Sequence, residues 1–322
     1  EGGPPGRGTQ PRLQRRRRAD RRRPLTIGPG FAADLPTVSA TVSRVLATVG
    51  DLINDIIVRV DGPINVASDT PSVISQRRGG SAANVAATAG LIGQPVRFLG
   101  QVGRDTTGAA LVEELSAVGV DTQFVRYAGS SGTIIVLVDE AGERSMLTDR
   151  RTCTELSQPE PEWLDDVDVL HVPLYSLIGG ATSTTAAAVI GWAHDRDVSV
   201  SLDLSSTALL RSTGLDAARA LVRGLRPDVV FANRDEAGLF DVSELSTATV
   251  VIVKNGPAPA RVRSPAPPGS SGVLTVDVPA RRIDHVGDTT AAGDAFAAGF
   301  LTFDDWRTDP VRACDAAHAA AH

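Results

Sequence analysis

Apolar residues recur along this chain in short runs, the pattern of strands buried on both faces of a parallel sheet. The first run is 45–50, and Gly50 ends it. Similar runs alternate with longer stretches that are typical of helices. Such an alternation predicts an α/β fold with helices on both faces of a mainly parallel sheet. The later strands are expected at 167–172, 198–203, 228–232 and 249–253.

Glycine and other small residues mark the turns between these elements. A glycine turn at 78–84 opens a helix of small residues over 85–93. A strand is predicted at 96–103, and residues 104–108 turn into a helix at 109–118. The Pro-, Ser- and Gly-rich segment 257–272 is predicted to be a surface loop. Further helices are predicted at 181–194, 215–224 and 312–321.

One region interrupts the alternation of strand and helix. Residues 133–138 and 144–148 are rich in β-formers and flank the turn 139–142, which predicts a β-hairpin. A hairpin on an α/β body often serves as a lid over a site. The simpler interpretation, an edge hairpin without such a role, stays open at this point.

The segment 286–296 joins a small polar half to an apolar helical half. A loop that enters a helix leaves the first N–H groups unpaired, and with the helix dipole these groups form an anion site. Asp294 falls in the first helical turn and could accept a proton from a hydroxyl that attacks a bound phosphoryl group. The alternative is that Asp288, Thr289 and Thr290 only cap the helix.

A second carboxylate stands out because it lies in an apolar segment. Asp55 falls within the run 53–60, where a buried carboxylate needs a partner. It is therefore either paired structurally or turned toward a cleft.

The N-terminal residues are strongly basic, whereas the rest of the chain is acidic. Residues 1–23 hold nine arginines and two acids, while the whole chain of 322 residues carries −6. We expect residues 1–44 to be a disordered tail and residues 45–322 to be the folded domain. Nucleic-acid binding would rest on this tail alone and is not expected. Two cysteines without metal or redox spacing favour a cytoplasmic location, and no apolar run is long enough to span a membrane.

From about residue 45 onward the sequence resembles the PfkB/ribokinase family of carbohydrate kinases. The resemblance rests on the motifs 79–84, 103–108, 233–236 and 288–294, which occur in the family's order. It implies a ribokinase-like three-layer α/β/α sandwich with a mainly parallel sheet. It also implies a small β lid, formed by about 56–75 and 130–150, and a homodimer.

The resemblance implies that Asp294 is the catalytic base for transfer of the γ-phosphate of ATP to a carbohydrate hydroxyl. Ala291, Ala292 and Gly293 would complete the catalytic segment, with the N–H groups of 292–294 as the anion hole. Some family members have glycine where this chain has Ala291. The substrate residues implied by the family are Asp55, Gly79, Gly80 and Asn84.

For the nucleotide, the family match implies Asn233, Lys254, Gly256 and His318 as ATP-binding residues. Glu236 would bind Mg²⁺ through water. Lys254 could equally be a strand-end residue, and His318 could be a packing residue on an Ala-rich helix. Asp288 and Thr290 match positions that hold a monovalent cation such as K⁺ in part of the family.

The chain ends 28 residues past Asp294, from which we expect either a truncated C-terminus or an incomplete adenine pocket and cation ring. Alternatives to a sugar kinase are a nucleoside kinase of the adenosine type and a catalytically silent sugar- or nucleotide-binding protein. A dinucleotide oxidoreductase is disfavoured because no G-x-G-x-x-G follows the first strand. Arg77, Arg78 and Arg144 could bind the phosphate of an already phosphorylated sugar or face solvent. The sequence selects neither the sugar nor the hydroxyl.

Overall fold

The computed structural model describes residues 2–3, 44–266, 269–281 and 291–321. The chain divides into two units, Glu1–Ala40 and Thr41–His322, and the second contains all the elements below. The predicted tail lies almost wholly outside the described residues, so its disorder stays a prediction.

Nine strands form the main sheet, in the order β15-β14-β13-β12-β11-β10-β1-β4-β6. All neighbours from β13 to β6 are parallel, and β14 and β15 add an antiparallel edge. The strands are β1 Leu46–Val49, β4 Val96–Leu99, β6 Val120–Asp121, β10 Val169–Pro173, β11 Ser199–Asp203, β12 Val229–Asn233, β13 Val250–Lys254, β14 Ala260–Pro265 and β15 Val273–Val278.

A second sheet of four strands stands apart, in the order β3-β2-β8-β9. Its strands are β2 Ile53–Val60, β3 Ser72–Gly79, β8 Thr133–Val138 and β9 Arg144–Asp149. Its own core is a small cluster around Ile57, Val136 and Val138, and β9 is exposed along its whole length. A bidentate ion pair from Arg150 to Asp51, at 2.7 and 2.8 Å, ties the end of β9 to the end of β1. The pair β5 Gln101–Val102 and β7 Arg126–Tyr127 forms a separate two-stranded ribbon.

Helices cover both faces of the main sheet because successive strand residues point in opposite directions. Leu46 joins one buried cluster with α1, α2, α7 and α8, whereas Ala47 joins another with α3 to α6. This is the expected three-layer α/β/α sandwich with a mainly parallel sheet and a small β sheet beside it. The helices in the described residues are α1 Ser81–Leu91, α2 Thr106–Ala117, α3 Gly180–Asp195, α4 Thr207–Thr213, α5 Leu215–Leu225, α6 Arg234–Phe240, α7 Ala292–Leu301 and α8 Pro310–Ala320.

The prediction of a loop at 257–272 was wrong. Residues 260–265 form strand β14, in which Ala260, Val262 and Ser264 are buried. Proline and serine hid this alternation, and the arginines between the buried positions lie on the outer face. Arg261 there forms an ion pair with Asp277 of the neighbouring β15.

Other boundaries also differ from the predictions, among them the start of α1 at Ser81 instead of 85. The strand expected over 96–103 breaks at Gly100, where a Cβ would lie 2.6 Å from the Phe98 ring and 2.7 Å from the Gly50 carbonyl. Helix α2 begins at Thr106 instead of 109, because the Asp105 side chain caps it by accepting the Gly108 N–H at 2.8 Å. The seven-residue helices α4 and α6 were not predicted, since they are too short to show a helical period.

Candidate active site

Polar side chains stand where three neighbouring parallel strands end. Asp203 is the last residue of β11, Asn233 of β12 and Lys254 of β13. Ligands of open α/β sheets bind outside the carboxyl ends of the strands. Helix α7 starts beside Lys254, whose ammonium lies 3.5 Å from the Gly293 carbonyl oxygen. The sheet and this helix therefore bring together residues that lie far apart in the sequence.

Asp294 is the third residue of α7, and helix α1 packs against that helix. The Ser81 hydroxyl donates a hydrogen bond to Asp294 Oδ1 at 2.7 Å, and the Asn84 amide donates one to Oδ2 at 2.9 Å. Burial raises the pKa of Asp294, while these two donors and the Lys254 charge oppose the rise. The net effect is an elevated pKa for a carboxyl group with a donor on each oxygen.

The start of α7 has the geometry of an anion site. The N-cap residue is Ala291, whose methyl side chain cannot cap the helix, and whose φ of 62° is left-handed. The first intrahelical bond runs from the Ala295 N–H to the Ala291 carbonyl, so the N–H groups of 292–294 precede the helical ladder. The proposed caps Asp288, Thr289 and Thr290 lie outside the described residues, as does the predicted monovalent-cation site at Asp288 and Thr290.

A buried ion pair lies next to this helix start. The Lys254 ammonium is 2.7 Å from Asp203 Oδ2, and both side chains are largely shielded from solvent. Burial lowers the pKa of Lys254, but the charge and hydrogen bond of Asp203 together with the charges of Asp294 and Glu236 leave that pKa raised. Sequence analysis missed Asp203, although an acid at the end of a buried apolar run was visible there.

Asn233 and Glu236 form a capping box at the start of α6. The Asn233 side chain accepts the Glu236 N–H at 2.9 Å, and Glu236 accepts the Asn233 N–H at 2.8 Å and its side-chain amide at 2.7 Å. Glu236 is buried, and burial together with the nearby Asp203 charge raises its pKa. Both of its oxygens already accept bonds, which leaves Glu236 suited to contact an ion through water.

Three of the four residues predicted to bind ATP line one shallow cavity of about 250 Å³. They are Asn233, Lys254 and Gly256. Gly256 has a left-handed φ of 56°, and open space lies where its Cβ would be. The fourth, His318, is buried on α8 and stacks edge-on against Phe296 with ring centres 5.1 Å apart. Its predicted contact with the nucleotide stays untested.

The predicted substrate residues meet at the junction of the second sheet and α1. Asp55 lies in β2 and Gly79 ends β3, and a Cβ on Gly79 would collide with the Asp55 carboxyl group. Gly80 has a φ of 99°, and a Cβ there would collide with the Asp51 carbonyl. Space and backbone conformation therefore require glycine at Gly80, whereas a side chain at Gly79 would have to displace the Asp55 carboxyl group.

Asp55 is the under-satisfied carboxylate of the site. Its Oδ1 is buried and accepts no hydrogen bond from the described residues. Burial raises its pKa to about 6, against the opposing charges of Arg77 and Arg78. A buried acceptor that faces glycine backbone fits a ligand with hydroxyl donors.

Within the described residues, no three His, Cys, Asp or Glu side chains cluster closely enough to hold a metal ion. Asp203 at the end of β11 and Glu236 just after β12 are acids of this region whose oxygens are already engaged. Asp203 accepts the Ser205 N–H at 2.8 Å besides the Lys254 bond. Such a donor set fits an ion that keeps its water and is bound mainly by a nucleotide's phosphates.

No helix in the described part of the chain has the length and apolar character to cross a membrane.

Comparison with known proteins matches residues 44–322 to the model of the pfkB family of carbohydrate kinases. The ATP-dependent ribose-1-phosphate kinase of Halopiger xanaduensis is 35% identical over 268 residues, covering 79% of this chain and 82% of that protein. A protein named as a sugar kinase from Rhizobium etli CFN 42 has a similar structure, with a TM-score of 0.72, 25% identity and coverage of 87% and 92%. A protein named Ribokinase II from E. coli, solved with ATP and Mg²⁺, shares the fold at a TM-score of 0.71 and 22% identity, with the same coverage.

Proposed function

The chain belongs to the pfkB family of carbohydrate kinases, and from this premise we propose that Asp294 is the general base that deprotonates the acceptor hydroxyl. The enzyme is a phosphotransferase with an alcohol group as acceptor, and ATP is the phosphoryl donor in this family. The observation that carries the role of Asp294 is its position in the first turn of α7, beside three N–H groups that precede the helical ladder. With a base and an anion site in one helical turn, the base can take the proton of the acceptor hydroxyl while the N–H groups bind the phosphoryl group that this hydroxyl attacks.

The proposed step balances as follows. The acceptor hydroxyl oxygen forms a bond to the γ-phosphorus, the bond from that phosphorus to the ADP oxygen breaks, and the hydroxyl proton passes to Asp294. The N–H groups of Ala292, Gly293 and Asp294 stabilise charge on the transferred phosphoryl group. Lys254 lies beside the same turn and adds positive charge.

We assign Asn233, Lys254 and Gly256 to the ATP side and Glu236 to a Mg²⁺ ion held through water. The shared cavity of the first three residues supports this assignment, as does the saturated hydrogen bonding of Glu236. When bound, Mg²⁺ would neutralise phosphate charge. The expected K⁺ requirement, cytoplasmic location and lack of nucleic-acid binding stay predictions.

The test is ADP release measured against pentoses, hexoses, their phosphates and nucleosides, with wild type and Asp294→Asn side by side. Loss of the base should lower kcat by roughly 10²–10⁴, while calorimetry should still detect ATP binding. Asp305→Asn is the matched control, because Asp305 is an exposed acid just after α7. Turnover that survives in Asp294→Asn would show that Asp294 is not the general base. Turnover on nucleosides alone would favour the nucleoside-kinase alternative.

For the substrate, we propose a sugar that already carries a phosphate. The relative from Halopiger xanaduensis is named a ribose-1-phosphate kinase, and its identity to this chain is well above that of a shared fold alone. Arg77, next to the substrate residues, lines a cavity of about 220 Å³ together with Asn54, Gln76 and one side of α2, where Glu114 is the opposing charge. A guanidinium in a polar cavity suits a phosphate group.

Arg77→Met tests this proposal. We expect KM for ribose 1-phosphate to rise about tenfold, the loss of one charge-assisted contact, with little change for unphosphorylated ribose. Arg59→Met is the control, since Arg59 is an exposed arginine on the neighbouring strand. Equal turnover of ribose and ribose 1-phosphate by the wild type would contradict the proposal.

The expected homodimer has a candidate surface on the second sheet. Ile56, Ile135 and Leu147 pair across three strands and therefore share the face opposite to Asp55. On that face Ile74 is 63% exposed and Leu147 56% exposed. Sedimentation should find a dimer that Leu147→Glu dissociates. Met146→Glu, on the opposite face, should leave it intact, and a monomeric wild type would contradict the proposal.

A further inference from the structure

Arg78 lies near both carboxylates of the candidate site. It is the penultimate residue of β3, directly before Gly79. Its Nη1 donates to Asn84 Oδ1 and to the Ala83 carbonyl, both at 3.0 Å. Among the charges that act on its guanidinium are Asp294 and Asp55, together with Glu114 of α2. Arg78 therefore contacts the helix that carries both partners of Asp294, without being a partner itself.

The contact with Asn84 has a chemical consequence. An asparagine amide can be turned so that either its oxygen or its nitrogen faces a given neighbour. A guanidinium only donates hydrogen bonds, so the group of Asn84 that faces Arg78 must be Oδ1. The NH₂ group is then directed to Asp294 Oδ2, where it lies at 2.9 Å. The flipped amide would set the oxygen of Asn84 against the carboxylate and its NH₂ against the guanidinium.

We infer that Arg78 is a positioning residue, which fixes the amide of Asn84 so that Asp294 Oδ2 is held by a permanent donor and Oδ1 is left to receive the proton. The inference rests on the proposed role of Asp294 as base. The other partner, Ser81, donates to Oδ1 through a hydroxyl that can rotate. The hydroxyl of an acceptor sugar can replace the Ser81 hydroxyl at Oδ1, whereas the hydrogen bond from Arg78 fixes the Asn84 amide.

The effect of Arg78 on the base has a definite sign. Donors and cations near Asp294 favour its ionised form, and a nearby acid favours its protonated form. Without Arg78, Asn84 is free to turn and one cation is lost, so the pKa of Asp294 rises and activity disappears at a higher pH. The groups that face Asp294 are Ser81 and Asn84 of α1, Lys254 of β13, Asp203 of β11 and Arg78 of β3.

The test compares Arg78→Met with Arg78→Lys in the pH profile of kcat/KM. For Arg78→Met the acid limb should move up by about one pH unit, which is roughly a tenfold loss below the limb. Well above the limb the loss should be much smaller. Arg78→Lys keeps a cation that can only donate, and should restore most of the wild-type profile. Arg59→Met removes an exposed arginine from the same sheet and should leave the profile in place.

A second readout needs no substrate. The carboxyl ¹³C signal that disappears in Asp294→Asn can be titrated by NMR in wild type and in Arg78→Met, and its midpoint should move up in the variant. A wild type that phosphorylates no sugar would end the proposed function, but this titration would still decide the role of Arg78. An unchanged midpoint in Arg78→Met would overturn the inference. So would a rise in sugar KM with an unmoved acid limb, because Arg78 would then bind substrate.

Discussion

Asp294 and Asp55 are two carboxylates of one candidate site, and they differ in the hydrogen bonds that their oxygens accept. Asp294 lies between α1 and α7, where Ser81 and Asn84 supply a donor to each of its oxygens. Asp55 lies on the second sheet, and its buried Oδ1 accepts no bond from the described residues. Burial raises the pKa of both groups; hydrogen bonds from Ser81 and Asn84 oppose the rise at Asp294, and the charges of Arg77 and Arg78 oppose it at Asp55.

The roles that we propose for the two carboxylates would account for this difference. A general base must be ionised and oriented before the reaction, so the protein pre-arranges its surroundings. A substrate-binding acceptor gains most when the ligand supplies the missing donor, because an unsatisfied buried group is costly until then. Helix α1 supplies both hydrogen-bond donors to Asp294. The second sheet, with few buried side chains, carries Asp55, which we propose to bind the substrate.

The largest effect is expected from the ion pair that supports the Asp294 side. Lys254→Met would leave the Asp203 carboxylate buried without its cation, since Asp203 is only 4% exposed. We expect unfolding in urea to show a loss of about 3–5 kcal/mol. Arg261→Met breaks a similarly short but exposed pair with Asp277 and should cost under about 1 kcal/mol. Equal losses for the two variants would mean that Lys254 contributes no more than a surface charge.

The next prediction concerns the Asp55 side. In Gly79→Ala the new methyl group would collide with the Asp55 carboxyl group, which must move. We expect kcat/KM for the sugar to fall about 10- to 100-fold, since misplaced contacts of this kind cost that much, while KM for ATP stays within twofold. Gly191→Ala in α3 is the control, because nothing lies near its Cβ position. A normal KM for the sugar in Gly79→Ala would mean that Asp55 does not bind the substrate.

A pH titration can sharpen the contrast. The pKa of Asp55 is about 6 in the folded state, against 3.8 as its ordinary value. Its ionisation therefore costs stability as the pH rises through 6, and Asp55→Asn should remove that cost. We expect a gain of about 1 kcal/mol at pH 8, discounted for partial solvent exposure, that vanishes below pH 4. Urea unfolding at both pH values measures it, with exposed Asp61→Asn as the control. A gain that is independent of pH would contradict the assignment.

The smallest effect is expected at the start of α7. Ala291 has a left-handed φ of 62°, which costs an L-residue about 1 kcal/mol. Ala291→Gly should relieve this strain and, after the entropy that glycine loses on folding, stabilise by at most about 1 kcal/mol. Ala316→Gly inside α8 should instead destabilise by about 1 kcal/mol. If both variants destabilise equally in thermal unfolding, the backbone at Ala291 is not strained.

The elements of the fold could be predicted from the sequence where one period dominated. The strands at 46–49, 199–203 and 250–254, and the hairpin of β8 and β9, lie close to their predicted places. Strand β14 was missed because its Pro and Ser residues are typical of loops. Its backbone pairs with β13 and β15, which lie outside the segment that was predicted to be a loop. The residues of β14 alone therefore do not indicate a strand.

The candidate site divides in the same way. Asp294 at a helix start and the glycines 79 and 80 were visible as local motifs, and the family resemblance drew attention to Asn233 and Glu236, whose capping box only the structure shows. The partnership of Lys254 with Asp203 was not visible, since 51 residues separate the two. Nor was the link from Arg78 through Asn84 to Asp294, which spans more than 200 residues. No local pattern records which side chain a distant strand or helix places opposite another.

By itself, the sequence indicated most of the strands, the longer helices, the family and the two carboxylates. The elements follow from the period of apolar residues and from backbone preferences within a few positions, and the family from the resemblance of short motifs. Only the tertiary structure decided that Asp294 has a donor on each oxygen, while Asp55 Oδ1 accepts no hydrogen bond from the described part of the chain. That outcome depends on strand register and on the packing of α1 against α7, which fix distances between segments far apart in the chain.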